Sequence, residues 1–434
     1  MLPNILQVLP STVPLLLALL VNAQADHSSE ASEAAISDPD QECEPYTYPP
    51  VADQMGSFPT VWQVPSILAN DSNALAMWNS ISSNIPTSIS THINSRFQTQ
   101  PPPSDYPSDD PDCWWTYNQC VTPKLAGVSP DISDAPEPST LGYGFDDGPQ
   151  CTHNVFYDFL RDQNQKATFY YIGSNVAKFP LEAQRGLDEG HEICVHTWSH
   201  PYMTTLSSEN AFAELWYTVR LCTIYCQDMA VGVTPTCWRP PFGDVDDRIR
   251  AIANALGLQT ILWKYDSEDA DINNSTITYD TVDNNYNNFI QTANSGTFDS
   301  TGAIILTHEV NNFTMSEAVK YYPQLKSAFK YIVPVGVALN KTQPYVETNY
   351  SLPTFEEYIS GTVTTTGTST LNSTSAMPST STSSSSRSSS SVTSSNSNSS
   401  GASASSTNGA AKAMSGINLA ASFIIVLSFR AYLF

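Results

Sequence analysis

The chain has 434 residues, and 18 Lys and Arg against 42 Asp and Glu give a formal net charge of −24 and a pI near 4.4. Binding phosphate backbones needs a concentrated positive footprint; no run of basic residues occurs, so nucleic acid is not expected as a partner. With 41% hydrophobic and 11% aromatic residues the chain holds material for a sizeable core, which excludes disorder throughout.

In chain order, residues 13–21 (VPLLLALLV) form an apolar run too short to span a bilayer, and the small-residue exit Ala23-Gln24-Ala25 follows. Residues 1–25 are therefore expected to be a signal peptide. Residues 26–135 carry Trp62, Trp78, Trp114 and Trp115 among many Pro, Ser and Asp, without a clear period. They are expected to be an irregular segment that wraps a folded domain and is stapled to it by disulfides. The other reading is a separate carbohydrate-binding module that presents Trp to sugars.

From 136 to 345 the pattern becomes regular. Strands are predicted at 141–145, 167–172, 191–196, 235–239, 259–265, 303–307 and 332–337, with helices at 155–163, 181–188, 211–229, 248–256, 279–291 and 317–330. This alternation predicts a parallel α/β fold, and a distorted (β/α) barrel of about seven strands is preferred over an open doubly wound sheet. Residues 346–408 read as a linker and a disordered stalk: in 381–400 all but Arg387, Val392, Asn396 and Asn398 are Ser or Thr. Such a segment cannot bury a core and is expected to be an O-glycosylated spacer. Residues 409–434 end in the apolar run 417–434, and with the small residues at Asn408-Gly409-Ala410 they resemble a glycosylphosphatidylinositol (GPI) anchor signal attached at Asn408 and then removed. A tail-anchoring helix is the alternative.

N-glycosylation sequons begin at Asn70, Asn273, Asn274, Asn312, Asn340, Asn349, Asn372 and Asn398. Together with both end signals they describe a secreted glycoprotein of the plasma membrane or cell wall. In that compartment the eight cysteines default to disulfides. Cys222 and Cys226, four apart in a helical pattern, are one expected pair, and the other six allow 15 connectivities. A cysteine zinc site is the weaker alternative, since no CxxC occurs.

In parallel α/β folds chemistry collects at the carboxyl ends of strands, and five of the seven predicted strands deliver an ionisable residue there: Asp146 with Asp147, His196 with His200, Arg239, Asp266 and His308. Two imidazoles four apart can meet one cation, although histidines bonded to the backbone are the commoner explanation of such a pair alone. Asp147 supplies a third ligand and completes a two-His, one-carboxylate set with an open position, as in hydrolytic zinc sites. Asp146 could then take a proton from water, and His308 could give one to a leaving group. Asp266 could hold the His308 imidazole, and Arg239 could orient Asp146 by a bidentate bond. His191, at the opposite end of its strand, reads as structural. No partners are evident for His27, His92 or His153.

The segments Gly144-Phe145-Asp146-Asp147-Gly148-Pro149, His196-Thr197-Trp198-Ser199-His200-Pro201, Arg239-Pro240-Pro241-Phe242-Gly243, Trp263-Lys264-Tyr265-Asp266 and Leu306-Thr307-His308-Glu309 resemble the five ordered motifs of the NodB-homology polysaccharide deacetylases, especially fungal chitin deacetylases. The resemblance implies a distorted (β/α) barrel and metal-dependent amide hydrolysis. Carried over, Asp147, His196 and His200 would bind Zn2+, or Co2+ or another divalent ion. Asp146 would be the base tethered by Arg239, His308 the acid assisted by Asp266, and the Phe242 N–H would line the oxyanion site. The implied reaction removes acetyl groups from chitin or chitooligosaccharides in cell-wall biogenesis, by a monomer. Rivals are a deacetylase of partly deacetylated chitosan or another acetylated wall polysaccharide, and a non-catalytic glycan-binding mannoprotein. Two positions depart from the family pattern: Gly144 stands where Thr or Ser is usual, and Ala270 where Trp is frequent. With Ala270 the cleft beside the metal is expected to be wider, unless Trp198 or Tyr265, both candidate substrate contacts, fills the gap.

Overall fold

The computed structural model describes residues 25–92, 106–225, 233–272 and 276–361. Within these residues no helix is long and apolar enough to cross a membrane. The expected signal peptide up to residue 24, the stalk beyond residue 361, the anchor, Cys226 and the sequons at Asn273, Asn274, Asn372 and Asn398 lie outside the described residues, whereas the start of the expected linker is described and packs on the domain through the helix Phe355–Ser360, with Phe355 buried beside Val333.

Among the described residues nine short strands carry the domain: β1 Thr140–Gly142, β2 Gly144–Gly148, β3 Thr168–Tyr171, β4 Glu192–Val195, β5 Cys237–Trp238, β6 Gln259–Thr260, β7 Tyr265–Asp266, β8 Ala303–Leu306 and β9 Tyr331–Val333. They form two sheets in the orders β2-β3-β4-β5-β6 and β7-β8-β1-β9, with every ladder parallel. The sheets are linked twice through the chain itself. β1 and β2 adjoin at Tyr143, which donates its N–H to Val333 and accepts from Thr168, and β6 and β7 belong to the one stretch 259–266. No ladder joins β6 to β7 among the described residues.

All-parallel sheets are covered on both faces, and the strands alternate accordingly. On β3, Phe169 and Tyr171 pack with Phe145, Phe156, Tyr157 and Tyr217 beneath the helices, whereas Tyr170 turns the other way, toward Cys194, Trp238, Ile304 and Leu306. The predicted helices are present as Asn154–Asp162, Pro180–Asp188, Ser208–Tyr225, Asp247–Ala255, Tyr279–Asn294 and Asn312–Ala328. The last strand is shorter than expected, because Pro334 ends β9 and the chain turns into the helix Val335–Ala338.

The segment before β1 wraps this domain in short helices, among them Glu30–Glu33, Pro39–Glu42 and Ser72–Ile81. Among the described residues three disulfides form: Cys43–Cys151 ties the segment to the loop after β2, Cys113–Cys120 closes a local loop, and Cys194–Cys237 joins β4 to β5. Oxidised cysteines of this kind belong to an extracellular or secretory setting.

Candidate active site

The site begins with the bend in β2. Its register against β3 shifts between Asp146 and Gly148, and Asp147 sits at φ 72°, in the left-handed region. This bulge turns two adjacent carboxylates apart. Asp146 stays in register, paired laterally with Tyr170 and bridged to His308 on the other side, so it shares their face of the sheet. A side chain at Gly148 would run into the Glu309 carboxylate.

His196 follows β4 and is buried; its Nδ1 donates to the carbonyl of Arg239 at 2.7 Å. A carbonyl can only accept, so the proton lies on Nδ1 and the Nε2 lone pair is free for a cation. The next four residues fold back sharply, with Thr197 at φ 68° and His200 at φ 57°. Glu214, buried on the helix Ser208–Tyr225, holds that loop: its carboxylate accepts from the N–H groups of Trp198 at 2.7 Å and Ser199 at 2.8 Å and from Ser199 Oγ at 2.5 Å. Burial pushes the Glu214 carboxyl up to about 7.

Asp147 Oδ1 then lies 3.1 Å from His200 Nε2 and 3.4 Å from His196 Nε2. The three donor atoms fall within 4.8 Å of one another, and Asp147 Oδ1 is a buried oxygen that accepts no well-aligned hydrogen bond. Burial works against ionisation of this carboxyl, but the imidazoles of His200 and His196 hold it well below the usual carboxylate range. Convergent anionic and imidazole donors with an unsatisfied oxygen fit a divalent cation. The other group of potential ligands, Glu192 with Cys194 and Cys237, is spent, since those cysteines form a disulfide.

Arg239, fully buried after β5, donates from Nη1 to Asp146 Oδ1 at 2.6 Å. The expected bidentate bond does not form. The guanidinium lies over the Tyr170 ring, 3.9 Å from its centroid, and its Nε and Nη2 have no hydrogen-bond partner among the described residues. His308 follows β8, and its Nδ1 hydrogen-bonds Asp269 Oδ1 at 2.6 Å while its N–H donates to Asp269 Oδ2 at 3.1 Å. Burial opposes protonation of this imidazole, yet the Asp269 carboxylate, reinforced by Asp147 and Asp146, pushes it up to about 10.

Asp266, expected to hold His308, is exposed at the end of β7 and accepts from the Glu268 N–H. The chain turns at Glu268, φ 56°, into a short 3₁₀ turn over Asp269–Asp271, and this sends Asp269 inward instead. The available signal was the second aspartate three residues beyond Asp266. Glu214 had no such signal, since it lies on a different element from the loop it holds.

The expected aromatic contacts also change. Trp198 is fully buried, stacked on Phe58, and donates its Nε1–H to the Thr60 carbonyl. Tyr265 packs on Phe289 and Phe298 under the helix Tyr279–Asn294. Phe242, at φ 59°, stacks on Tyr202 at 4.1 Å and meets the His200 ring at 4.6 Å. His191 accepts the Ala167 N–H on Nδ1, as a structural residue would.

Comparison with known proteins is consistent with this geometry. Residues 133–261 match the family model described as polysaccharide deacetylase. The chain is 49% identical over 345 residues to chitin deacetylase 2 of Cryptococcus neoformans var. grubii, covering 79% of this chain and 74% of that protein. It is 40% identical over 316 residues to the chitin deacetylase of Amylomyces rouxii, covering 71% and 73%. The solved chitin deacetylase of Colletotrichum lindemuthianum is 22% identical and aligns with a TM-score of 0.43 over 52% of this chain and 97% of that one.

Proposed function

The chain belongs to the polysaccharide deacetylase family, and from that premise we propose that it hydrolyses the N-acetyl groups of chitin or short chitin chains, yielding chitosan and acetate. One observation carries this reading: the donor set Asp147, His196 and His200 adjoins a carboxylate held by Arg239 and an imidazole held by Asp269.

Asp147, His196 and His200 would hold the cation, proposed to be zinc, with cobalt or another divalent ion able to use the same donors. When bound, it would polarise the acetamide carbonyl and acidify water. The chain's own residues handle the protons. Asp146 Oδ1 is committed to Arg239, so Oδ2 is the oxygen proposed to take the proton of the attacking water. His308 Nδ1 is committed to Asp269, which leaves Nε2 to protonate the departing amine. The Phe242 N–H is proposed to donate to the oxygen that gains negative charge. The C–N bond breaks, water supplies the acetate oxygen, and the freed amine takes the proton from His308.

The test is acetate release from a panel of chitin, partly deacetylated chitosan and O-acetylated glycans. Release from chitin that a chelator abolishes and zinc restores is the expected result. No release from any member would leave a glycan-binding protein.

We also propose that the domain spans 136–345 and is displayed at the cell surface, with a linker and the Ser/Thr-rich stalk over 346–408 behind it and an anchor at Asn408 replacing residues 409–434. Asn70, Asn312, Asn340 and Asn349 are exposed, which supports glycosylation there. A chain ending at Thr407 should be secreted freely, and the full chain should leave cells when treated with an inositol-lipid phospholipase.

A further inference from the structure

Trp62 is an anomaly in the wrapping segment. Its side chain is 48% exposed, flanked by Val61 at 39% and Val64 at 47%, while the neighbouring Phe58 does the covering, buried against Trp198 and Tyr217. Its backbone sits at φ 60°, a conformation that costs a bulky side chain and persists only where surrounding bonds enforce it. Those bonds are present. Trp62 N–H donates to Ser174 Oγ at 2.8 Å, and Trp198 Nε1–H donates to the Thr60 carbonyl at 3.1 Å.

Both anchors connect to the loop that carries His196 and His200. Ser174 Oγ in turn donates to the Trp198 carbonyl at 2.6 Å, and Trp198 lies between His196 and His200. The adjacent Asn175 donates from Nδ2 to the Asp147 carbonyl at 2.7 Å. The loop 59–64 is thus bonded to the stretch that carries His196 and His200, and its other anchor, Ser174, is the chain neighbour of the residue that holds the Asp147 carbonyl. About half of the Trp62 surface is left to solvent despite the strained backbone, and with Val61 and Val64 it forms an apolar patch suited to an external partner. A flat apolar ring on a loop bonded to the framework of the proposed deacetylation site suits the C–H face of a pyranose.

We propose that Trp62 is a stacking platform for the N-acetylglucosamine chain, engaging sugars away from the acetamide being hydrolysed, with Val61 and Val64 extending its apolar surface. The assignment rests on the substrate proposed above and adds a binding subsite outside the deacetylase domain.

The experiment is equilibrium binding of N-acetylglucosamine oligomers of two and six units to the full chain, measured calorimetrically for the unaltered protein, Trp62→Ala and Trp62→Phe. The hexamer Kd should rise about tenfold in Trp62→Ala, the dimer Kd should stay unchanged, and Trp62→Phe should recover most of the loss. Unchanged hexamer affinity, absence of hexamer binding, or equal losses for both oligomers would each overturn the platform. In the unaltered protein the Trp62 indole N–H resonance should shift on adding hexamer but not dimer, which reads the contact without a variant; a still resonance also overturns it. Acetate assayed in the same samples separates the two claims. Trp62-dependent hexamer binding without acetate would refute the reaction and leave the platform standing.

Discussion

Asp146 and Asp147 show how adjacent residues of one type take different work. The bulge at the end of β2 sends Asp147 toward His196 and His200 and leaves Asp146 beneath Arg239. Removing one cation donor should therefore be separable from removing the base. His200→Ala is expected to lose both bound metal and acetate release while remaining folded, as read by metal content and circular dichroism; a fully metallated, active variant would contradict the ligand assignment. Asp146→Asn should keep its metal but lose turnover by about a hundredfold or more. Asp269 is a positioning residue, and its effect has a sign. It raises the His308 pKa above the ordinary imidazole value, so protonated His308 persists until pH rises through about 10. In Asp269→Asn that support is gone, and the alkaline limb of kcat/KM should move to lower pH while the acid limb stays. An unmoved alkaline limb would remove His308 from the role of acid.

The loop from His196 to His200 has two left-handed residues and depends on a carboxylate from the next helix. Three donors converge on Glu214, two of them backbone N–H groups that have no alternative when buried. Glu214→Ala should cost about 2–4 kcal/mol in denaturant unfolding, the scale of leaving such groups unpaired, and should weaken metal binding because His200 loses its setting. Glu214→Gln retains one acceptor oxygen for both N–H groups, and Ser199 Oγ can rotate to accept from the new amide. It should therefore recover most of both quantities. If the Ala variant bound metal normally, the loop would be rigid without its brace.

The N-terminal wrap is attached through acidic side chains as well as through disulfides. Glu33 and Glu42 arrive on the wrap and meet Glu182 of the helix Pro180–Asp188, all three fully buried. Tyr46 and Asn154 hydrogen-bond into the cluster, and Arg185 and Asp158 are the nearby charges. Burial raises Glu33 and Glu42 to about 7 and Glu182 to about 8, aided by repulsion from Glu42 at Glu33, from Asp158 and Asp38 at Glu42, and from Glu33 and Glu42 at Glu182. Carboxyls raised on folding favour the folded state at low pH, and that stability is lost as pH climbs through their folded values. The melting temperature should thus fall as pH is raised from the ordinary carboxyl value of 4.5 to about 8 and level off beyond it, and Glu33→Gln combined with Glu182→Gln should flatten the fall. A profile unchanged by those substitutions would place the pH response elsewhere. The arrangement also means that the wrap and the deacetylase domain stabilise one another, with Cys43–Cys151 fastening the wrap to the loop that follows Asp147.

Strand and helix order was legible because hydrophobic period is a local property, and the six ionisable positions Asp146, Asp147, His196, His200, Arg239 and His308 were legible because parallel α/β folds bring strand ends to one face. The remainder was decided by contacts between residues far apart in the chain. Asp269 displaced Asp266 because Glu268 takes a left-handed turn that resets the alternation of side chains after β7. Trp198 and Tyr265 went to the core because the N-terminal wrap and the helix Tyr279–Asn294 offer them apolar partners. His27, His92 and His153, partnerless as read from the sequence, meet Tyr46, Trp114 and Glu309. The pairings Cys43–Cys151 and Cys194–Cys237 span 108 and 43 residues, and the expected Cys222–Cys226 bond reaches a residue outside those described. Periodicity specifies which face a side chain takes within one element; which group awaits it there depends on how the elements pack, and spacing along the chain carries no record of that.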